Sequence, residues 1–203
     1  MKSVLISIQP YWVFLIIAKK MGWNINQEKT VEIRKNYPKS NDWNKVVKIY
    51  CSKDKKSFAK IPKEYQPFME KFLGKVVGEF VCDTVVVDKT FGHDALFNAA
   101  SCMGDAEIAA YCTNKEMYGW HISNLVIYDK PRELSEFYTV DNEAVKQCEH
   151  RERVYNNPDY TNGAWLLGSY VCNKDETDWC AKCKTKPITR PPQSWCYVKE
   201  LGG

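Results

Sequence analysis

Glu28-Lys29-Thr30-Val31-Glu32-Ile33-Arg34-Lys35, running directly into Asn36-Tyr37-Pro38, is the stretch from which the rest of the chain is read. Val31 and Ile33 alternate with Glu32 and Arg34, so an extended strand turns two apolar side chains one way and an ionised pair the other. Lys29, near the start of that strand, joins the pair in a compact charged cluster. A charged row on a sheet face serves either as solubility decoration or as a functional surface. The alternation alone leaves both readings open.

Before this stretch, Val4 to Ile8 reads as a first strand and Pro10 opens a helix to about Lys20, since proline suits a first helical turn whose amide would be unpaired anyway. Trp12, Leu15, Ile16 and Lys19 recur at helical spacing, and Gly22 and Asn24 break the helix. After it, Tyr37 to Asp42 is a turn and Lys45 to Cys51 a strand. Lys53, Lys55, Lys56, Lys60 and Lys63 follow, interrupted by Phe58 and Ile61. This most basic segment is either a solvated loop or a lip facing phosphates, because lysine acts as a point charge toward a nucleic-acid backbone.

Tyr65 to Leu73 reads as a short helix. Lys75 to Val87 is the longest strand-like segment, with Gly78 marking a bulge or the close approach of another backbone. Asp105 to Tyr111 reads as a brief helix with Ile108 and Tyr111 inward. Tyr118 to Tyr128 is a further strand that separates Trp120 and Ile122 from His121 and Ser123. Trp120 either closes the core or floors a ligand cleft, and His121 is either structural or a proton carrier. Leu134 to Phe137 begins a loop or short helix, and residues 138 to 170 are polar and poorly periodic.

Four segments together resemble the ASCH domain of the PUA-like superfamily, in its bacterial and phage-borne form. They are Ser7-Ile8-Gln9-Pro10-Tyr11-Trp12, Glu28 to Arg34, Gly74-Lys75-Val76-Val77-Gly78-Glu79-Phe80 and Tyr118-Gly119-Trp120-His121-Ile122. The resemblance covers roughly residues 2 to 145, and Pro191-Pro192-Gln193-Ser194-Trp195-Cys196-Tyr197 is similar to the tail of larger members. It implies a mixed α+β fold: a PUA-like β-barrel with flanking helices and a cleft holding the lysine, glutamate and arginine, over residues 1–145. Residues 146–203 then form a Cys-rich C-terminal extension packed on that barrel. The segments around residues 4, 31, 47, 80 and 123 are expected to be strands of the one barrel, with the Pro10 helix beside its opening.

With 203 residues, 44% of them hydrophobic, the chain can bury one sizeable core plus a small appendage. Its 29 basic and 25 acidic residues leave a net charge of +4, which permits contact with nucleic acid without establishing it. The apolar run through Phe14 to Ala18 is ended by Lys19 and Lys20 well short of a membrane span and is not a convincing signal peptide, so no membrane partner and a cytoplasmic location are expected. Nine cysteines there read as thiols or metal ligands rather than disulfides. Cys180-x-x-Cys183 can place two thiolates on a tetrahedral ion, with Cys172 and Cys196 supplying the others, which makes a structural zinc site the expectation for the tail. A redox dithiol or plain core cysteines fit the same pair. Cys82, His93, Cys102 and Cys112 have no such close spacing. No organic cofactor is expected.

The expected function is the binding of RNA or a modified nucleotide through Lys29, Glu32, Arg34, Trp12, Trp120 and His121. Lysine and arginine hold a phosphate or a base carbonyl, while glutamate accepts from an exocyclic amine. The alternative is an amidohydrolase acting on an acylated cytidine-type nucleoside, as in some relatives, with Lys29 and Glu32 catalytic. Lys29 would need burial or the nearby Arg34 to lose its proton near neutrality. Glu32 stands where those hydrolases carry a nucleophilic threonine, and Thr30 lies on the opposite strand face. A binding module is therefore the favoured reading.

Overall fold

The computed structural model describes residues 3–37, 45–89, 94–113, 115–140, 151–153, 170–172 and 185–200. The chain divides into two units, Met1–Leu134 with Thr189–Tyr197, and Ser135–Ile188 with Val198–Gly203. The elements of the first are β1 (Ser3–Ile8), α1 (Pro10–Ile17), β2 (Val31–Arg34), β3 (Lys45–Cys51), α2 (Lys55–Phe58), α3 (Gln66–Glu70), β4 (Val76–Cys82), β5 (Val85–Asp88), α4 (Ala95–Ser101), α5 (Asp105–Cys112), β6 (Met117–His121) and β7 (Ser123–Arg132). A 3-10 turn at Leu134–Glu136 leads to β8 (Phe137–Val140), β9 (Arg151–Arg153), β10 (Tyr170–Cys172), β11 (Thr185–Pro187) and β12 (Trp195–Glu200).

The main sheet of the first unit runs β12-β1-β3-β4-β7. β1 and β3 are parallel, so they need a crossover, which α1 and β2 supply; β4 is antiparallel to both β3 and β7. One face of this sheet is apolar by strict alternation: Val4, Ile6 and Ile8 of β1 meet Val47, Ile49 and Cys51 of β3. Val13 to Ile17 of α1 are all buried, so the helix is wrapped by core rather than lying on it with one face. Each such side chain contributes roughly 1.5–3 kcal/mol when fully buried. α1 ends at Ile17, short of Lys20, and the chain turns through Gly22 at φ 69°. Gly78 of β4 marks a close approach, as its sequence position predicts. A Cβ there would stand 2.3 Å from the carbonyl oxygen of Val126, and the β4–β7 register slips on either side of it.

The second sheet of this unit has the order β2-β6-β5, all antiparallel, with Glu32 opposite Trp120 and Arg34 opposite Tyr118. Val31 and Ile33 of β2 pack with Phe97 of α4, Ile108 of α5 and Met117 of β6. Helix α4 rests so closely on β6 that a Cβ at Gly119 would lie 2.5 Å from Phe97 Cε2 and 2.6 Å from Val31 Cγ1.

The expected β-barrel does not form: the architecture is mixed α+β with open sheets. Positions 4, 47, 80 and 123 do share a sheet, whereas position 31 belongs to the other. Two segments that read as single strands each bend from one sheet into the other. Lys75 to Val87 breaks at Asp83-Thr84 between β4 and β5, and Tyr118 to Tyr128 breaks at Ile122, followed by Asn124 at φ 49°. Strands that change sheet in this way make the corners of orthogonal packings. Closure would need a strand on the outer edge of β2. The backbone entering β2 bonds to helices instead: Lys29 N–H reaches Leu15 O at 3.5 Å and Thr30 N–H reaches Ala100 O at 2.9 Å. The corner itself is pinned by His121 Nδ1 and Asp83 Oδ1 at 2.6 Å and by Ser123 Oγ donating to Val81 O at 2.8 Å.

In the second unit β8 pairs antiparallel with β11 and with the end of β12, and β9 pairs with β10. Phe137, Ile188 and Val198 are buried there, and Ile188 N–H donates to Phe137 O at 2.8 Å. Of the four tail cysteines proposed from sequence as zinc ligands, Cys180 and Cys183 lie outside the described residues. Cys172 is described only as a strand position, and Cys196 is a half-buried thiol on β12. Among the described residues no group of three or more His, Cys, Asp or Glu side chains is placed to hold a metal. No described helix is long and apolar enough to cross a membrane.

Candidate functional site

All four residues of β2 are buried, so its charged face is an interior surface and not solvent decoration. The alternation that sends Val31 and Ile33 into the apolar cluster sends Glu32 and Arg34 to the opposite side, where their carboxylate and guanidinium meet at 3.0 Å. Arg34 Nη2 also donates to Ser7 O of β1 at 2.6 Å, which fixes the arginine across the two sheets. Lys29 arrives from the other end of the strand. Its Nζ donates to Ser101 O at 2.7 Å and lies 3.4 Å from Glu32 Oε2. Ser101 closes α4, so the ammonium meets a carbonyl left without a partner in the helix, at the negative end of its dipole.

Burial dominates the electrostatics. The Lys29 side chain is 1% exposed and that of Glu32 6%. Desolvation holds the lysine below its ordinary pKa of 10.5, against the opposing pull of Glu32. Removing two or three charges from water is a large expense, and such a group is weak evidence for stability alone. Two of its atoms are buried and make no hydrogen bond, Arg34 Nε and Glu32 Oε2, the latter meeting Lys29 Nζ only as an ion pair, and the nearby Ser52 Oγ makes none either.

These residues line a cleft of about 550 Å³. Lys29, Glu32 and Arg34 are among the lining residues, as is Trp12, with Lys29 Nζ 4.9 Å from its ring centre. Met103, Glu107 and Tyr111 form the facing wall. Glu107 is held in place where its carboxylate accepts from Gly104 N–H at the start of α5. Ser7, Gln9, Ser52 and Gln193 add neutral polar groups, and exposed Lys60 also lines the cleft, with no ion-pair partner among the described residues.

The structure therefore brings together Lys29, Glu32, Arg34 and Trp12. It sets Trp120 directly opposite Glu32 on the paired strand, and His121 opposite Val31, away from the charged face. Trp120 is 1% exposed within the core, on the strand paired with β2, and neither residue lines the cleft. His121 sits at the sheet corner against Asp83, whose carboxyl is held below its usual range chiefly by that hydrogen bond. Sequence reasoning missed the α5 wall, although Tyr111 had been placed inward. It also missed Ser101, because a backbone carbonyl leaves no trace in residue type. Burial pushes the thiol of Cys51 up to about 12 and that of Cys82 to about 11.

No family model matches the sequence, and no curated protein matches it. Among solved structures the chain is similar to the crystal structure of ASCH from Zymomonas mobilis, with 14% identity, 65% of this chain and 73% of that chain covered, and a TM-score of 0.45. Two mutant structures of the same protein give 13% identity over 66% and 77% with a TM-score of 0.44, and 15% over 64% and 70% with 0.39. This is a distant structural likeness to ASCH proteins.

Proposed function

We propose that the cleft binds a nucleotide, free or as part of RNA, without chemical change, and that Lys29, Glu32 and Arg34 pair with the edge of its base. The observation that carries this reading is the pairing left open in an otherwise dry cluster. Glu32 Oε2 accepts no hydrogen bond, facing only the Lys29 ammonium at 3.4 Å, and Arg34 Nε donates none, although both residues line the cleft. A base edge offers the complementary set, an exocyclic amine beside a ring nitrogen or carbonyl. Trp12 beside the cluster suits stacking of the base plane, which is worth roughly 1–3 kcal/mol per base. The resemblance of four ordered segments to the ASCH domain supports the same reading.

Hydrolysis of an acylated cytidine-type nucleoside is the second reading, and the lowered pKa of Lys29 favours it. It lacks its nucleophile: Glu32 occupies the position of the threonine, and Thr30 does not line the cleft. The deciding experiment titrates nucleotides and short single-stranded RNA into the protein and its variants, and assays acylated cytidine in parallel. Arg34→Ala and Lys29→Ala are expected to weaken binding at least tenfold, as loss of a charged hydrogen bond does at roughly 1.5–3 kcal/mol. Glu32→Gln should change base preference more than overall affinity. Turnover of the acylated nucleoside, abolished in Lys29→Ala and unaccompanied by salt-dependent RNA binding, would replace this reading with the second.

A further inference from the structure

The lysine-rich segment 53–63 has no part in the cleft chemistry apart from Lys60, yet its placement is specific. Asp54 caps α2 by accepting from the N–H groups of Lys56 and Ser57 at 2.9 and 3.1 Å. Ser57 in turn accepts from Tyr11 N–H at 3.0 Å, which supplies the first turn of α1 with a cap that Gln9 does not give. Phe58 and Ile61 pack into or against the core. The segment is thus rooted beside the start of α1, while Lys53, Lys55, Lys56, Lys60 and Lys63 are all exposed.

None of those five lysines is in a salt bridge with a described carboxylate, whereas Lys19, Lys75 and Lys89 elsewhere in the unit are paired with Glu28, Glu133 and Glu116. Of the acids nearest in sequence, Asp54 is spent on the helix cap, and Glu64 makes no salt bridge with them. Aromatic rings accompany this unpaired charge. Tyr11, half-buried, lies 5.2 Å from Trp12 between ring centres, and Lys60 Nζ stands 5.9 Å from the Tyr11 ring while also lining the cleft. Trp12, the Tyr11 ring, which also stacks on Phe14 at 6.4 Å, and the Lys60 ammonium therefore follow one another, with the other exposed lysines on the same segment as Lys60.

We infer that Tyr11, Lys60 and Lys56 form a second nucleotide subsite, which takes the neighbour of the nucleotide held in the cleft and so selects a single strand over a mononucleotide. The inference rests on the nucleotide reading of the cleft. Tyr11 supplies the stacking surface for the next base, and the lysines neutralise the phosphates that join the two. Aromatic and cationic side chains arranged in this order are how single strands are held without sequence readout. An ion-paired surface would gain little from phosphate, because the counter-charge would first have to be displaced.

The test compares a nucleoside 5′-monophosphate with a tetranucleotide on the full chain, each across a salt series. The tetranucleotide is expected to bind about tenfold tighter or more, the factor that about 1.4 kcal/mol of stacking gives. Tyr11→Ala should remove most of that advantage and Tyr11→Phe should keep it, which separates stacking from the role of the hydroxyl. Lys60→Ala should lower tetranucleotide affinity by a larger factor than mononucleotide affinity, and reduce the salt slope by about 0.7 if one phosphate contact is lost. A tetranucleotide no tighter than the mononucleotide would overturn the subsite and leave the cleft reading intact. Equal binding of a polyglutamate of the same charge would also overturn it, by reducing the lip to unspecific attraction. Oligonucleotide binding that ignores Lys29→Ala and Arg34→Ala would instead overturn the cleft reading, and with it this inference.

Discussion

Two polar clusters lie in the same unit, one on each sheet, the first partly buried and the second buried, and they differ in how completely they close. On the main sheet Lys48 of β3 pairs with Glu79 of β4, and Tyr128 of β7 donates to the same Glu79 oxygen at 2.6 Å while Lys48 reaches the Tyr128 hydroxyl at 3.3 Å. None of their side-chain atoms is buried without a partner, and burial with the Glu79 hydrogen bond pushes the Tyr128 hydroxyl well above its usual range. On the smaller sheet Lys29, Glu32 and Arg34 form a similar ion group, but one acceptor and one donor make no hydrogen bond, in residues that line a cleft. The difference teaches that charge burial by itself does not mark a site. A closed cluster cross-links three strands; an open one retains bonding capacity for something else.

The largest effect that would break this comparison is on the closed side. Glu79→Ala removes the carboxylate that accepts from both Lys48 and Tyr128 and should destabilise the fold by about 3 kcal/mol, roughly two charge-assisted hydrogen bonds, with ligand affinity unchanged. Chemical denaturation with a nucleotide titration measures both, and a loss of binding as large as the loss of stability would erase the distinction between the clusters.

A smaller change sharpens the comparison from the side of the cleft. Gly119→Ala puts a methyl between Phe97 and Val31, and overpacking of this kind costs about 2 kcal/mol. Because Val31 shares its strand with Glu32, affinity should fall together with stability in this variant, unlike in Glu79→Ala. The thermal midpoint and a binding isotherm on the same sample are sufficient.

The smallest effect is electrostatic and concerns Lys29 alone. Its folded pKa lies below the ordinary 10.5, so between that lowered value and 10.5 the unfolded chain binds more protons than the folded one. Stability then rises with pH across that window, because the penalty of a buried ammonium fades as the folded group gives up its proton first. Lys29→Met, which has no group to titrate, should lack this rise. Its stability relative to the wild type is therefore highest on the acid side of the window and declines through it, and a midpoint difference that stays flat with pH would contradict the burial argument.

What could be read from the sequence follows the range of the physics involved. The sharing of one face by Glu32 and Arg34 is a property of neighbouring residues in a strand, and it holds. Gly78 was legible because only a close approach makes glycine useful inside a strand, and Val126 provides that approach. The barrel was not, because Asp83-Thr84 and Ile122 look like continuing strand until the pairing partners of β5 and β6 are known. Nor was the open cluster distinguishable from the closed one, since Lys48, Glu79 and Tyr128 are as unremarkable in sequence as any alternating surface charge. Their difference lies wholly in contacts between distant segments, such as Lys29 with Ser101.

That last contact ties occupancy of the cleft to local motion. The Lys29 ammonium serves both as a wall of the site and as the terminal partner of α4. A ligand that drew the ammonium toward itself would release the Ser101 carbonyl, while Asn98, Ala99 and Ala100 of the same turn would keep their own hydrogen bonds. Amide protons around the Cys102 bend, which carries a left-handed φ of 57° on a non-glycine residue, would then exchange faster with a ligand bound than without one. Such a site would loosen one of its own walls as it fills, the opposite of the rigidification usually taken as the signature of binding.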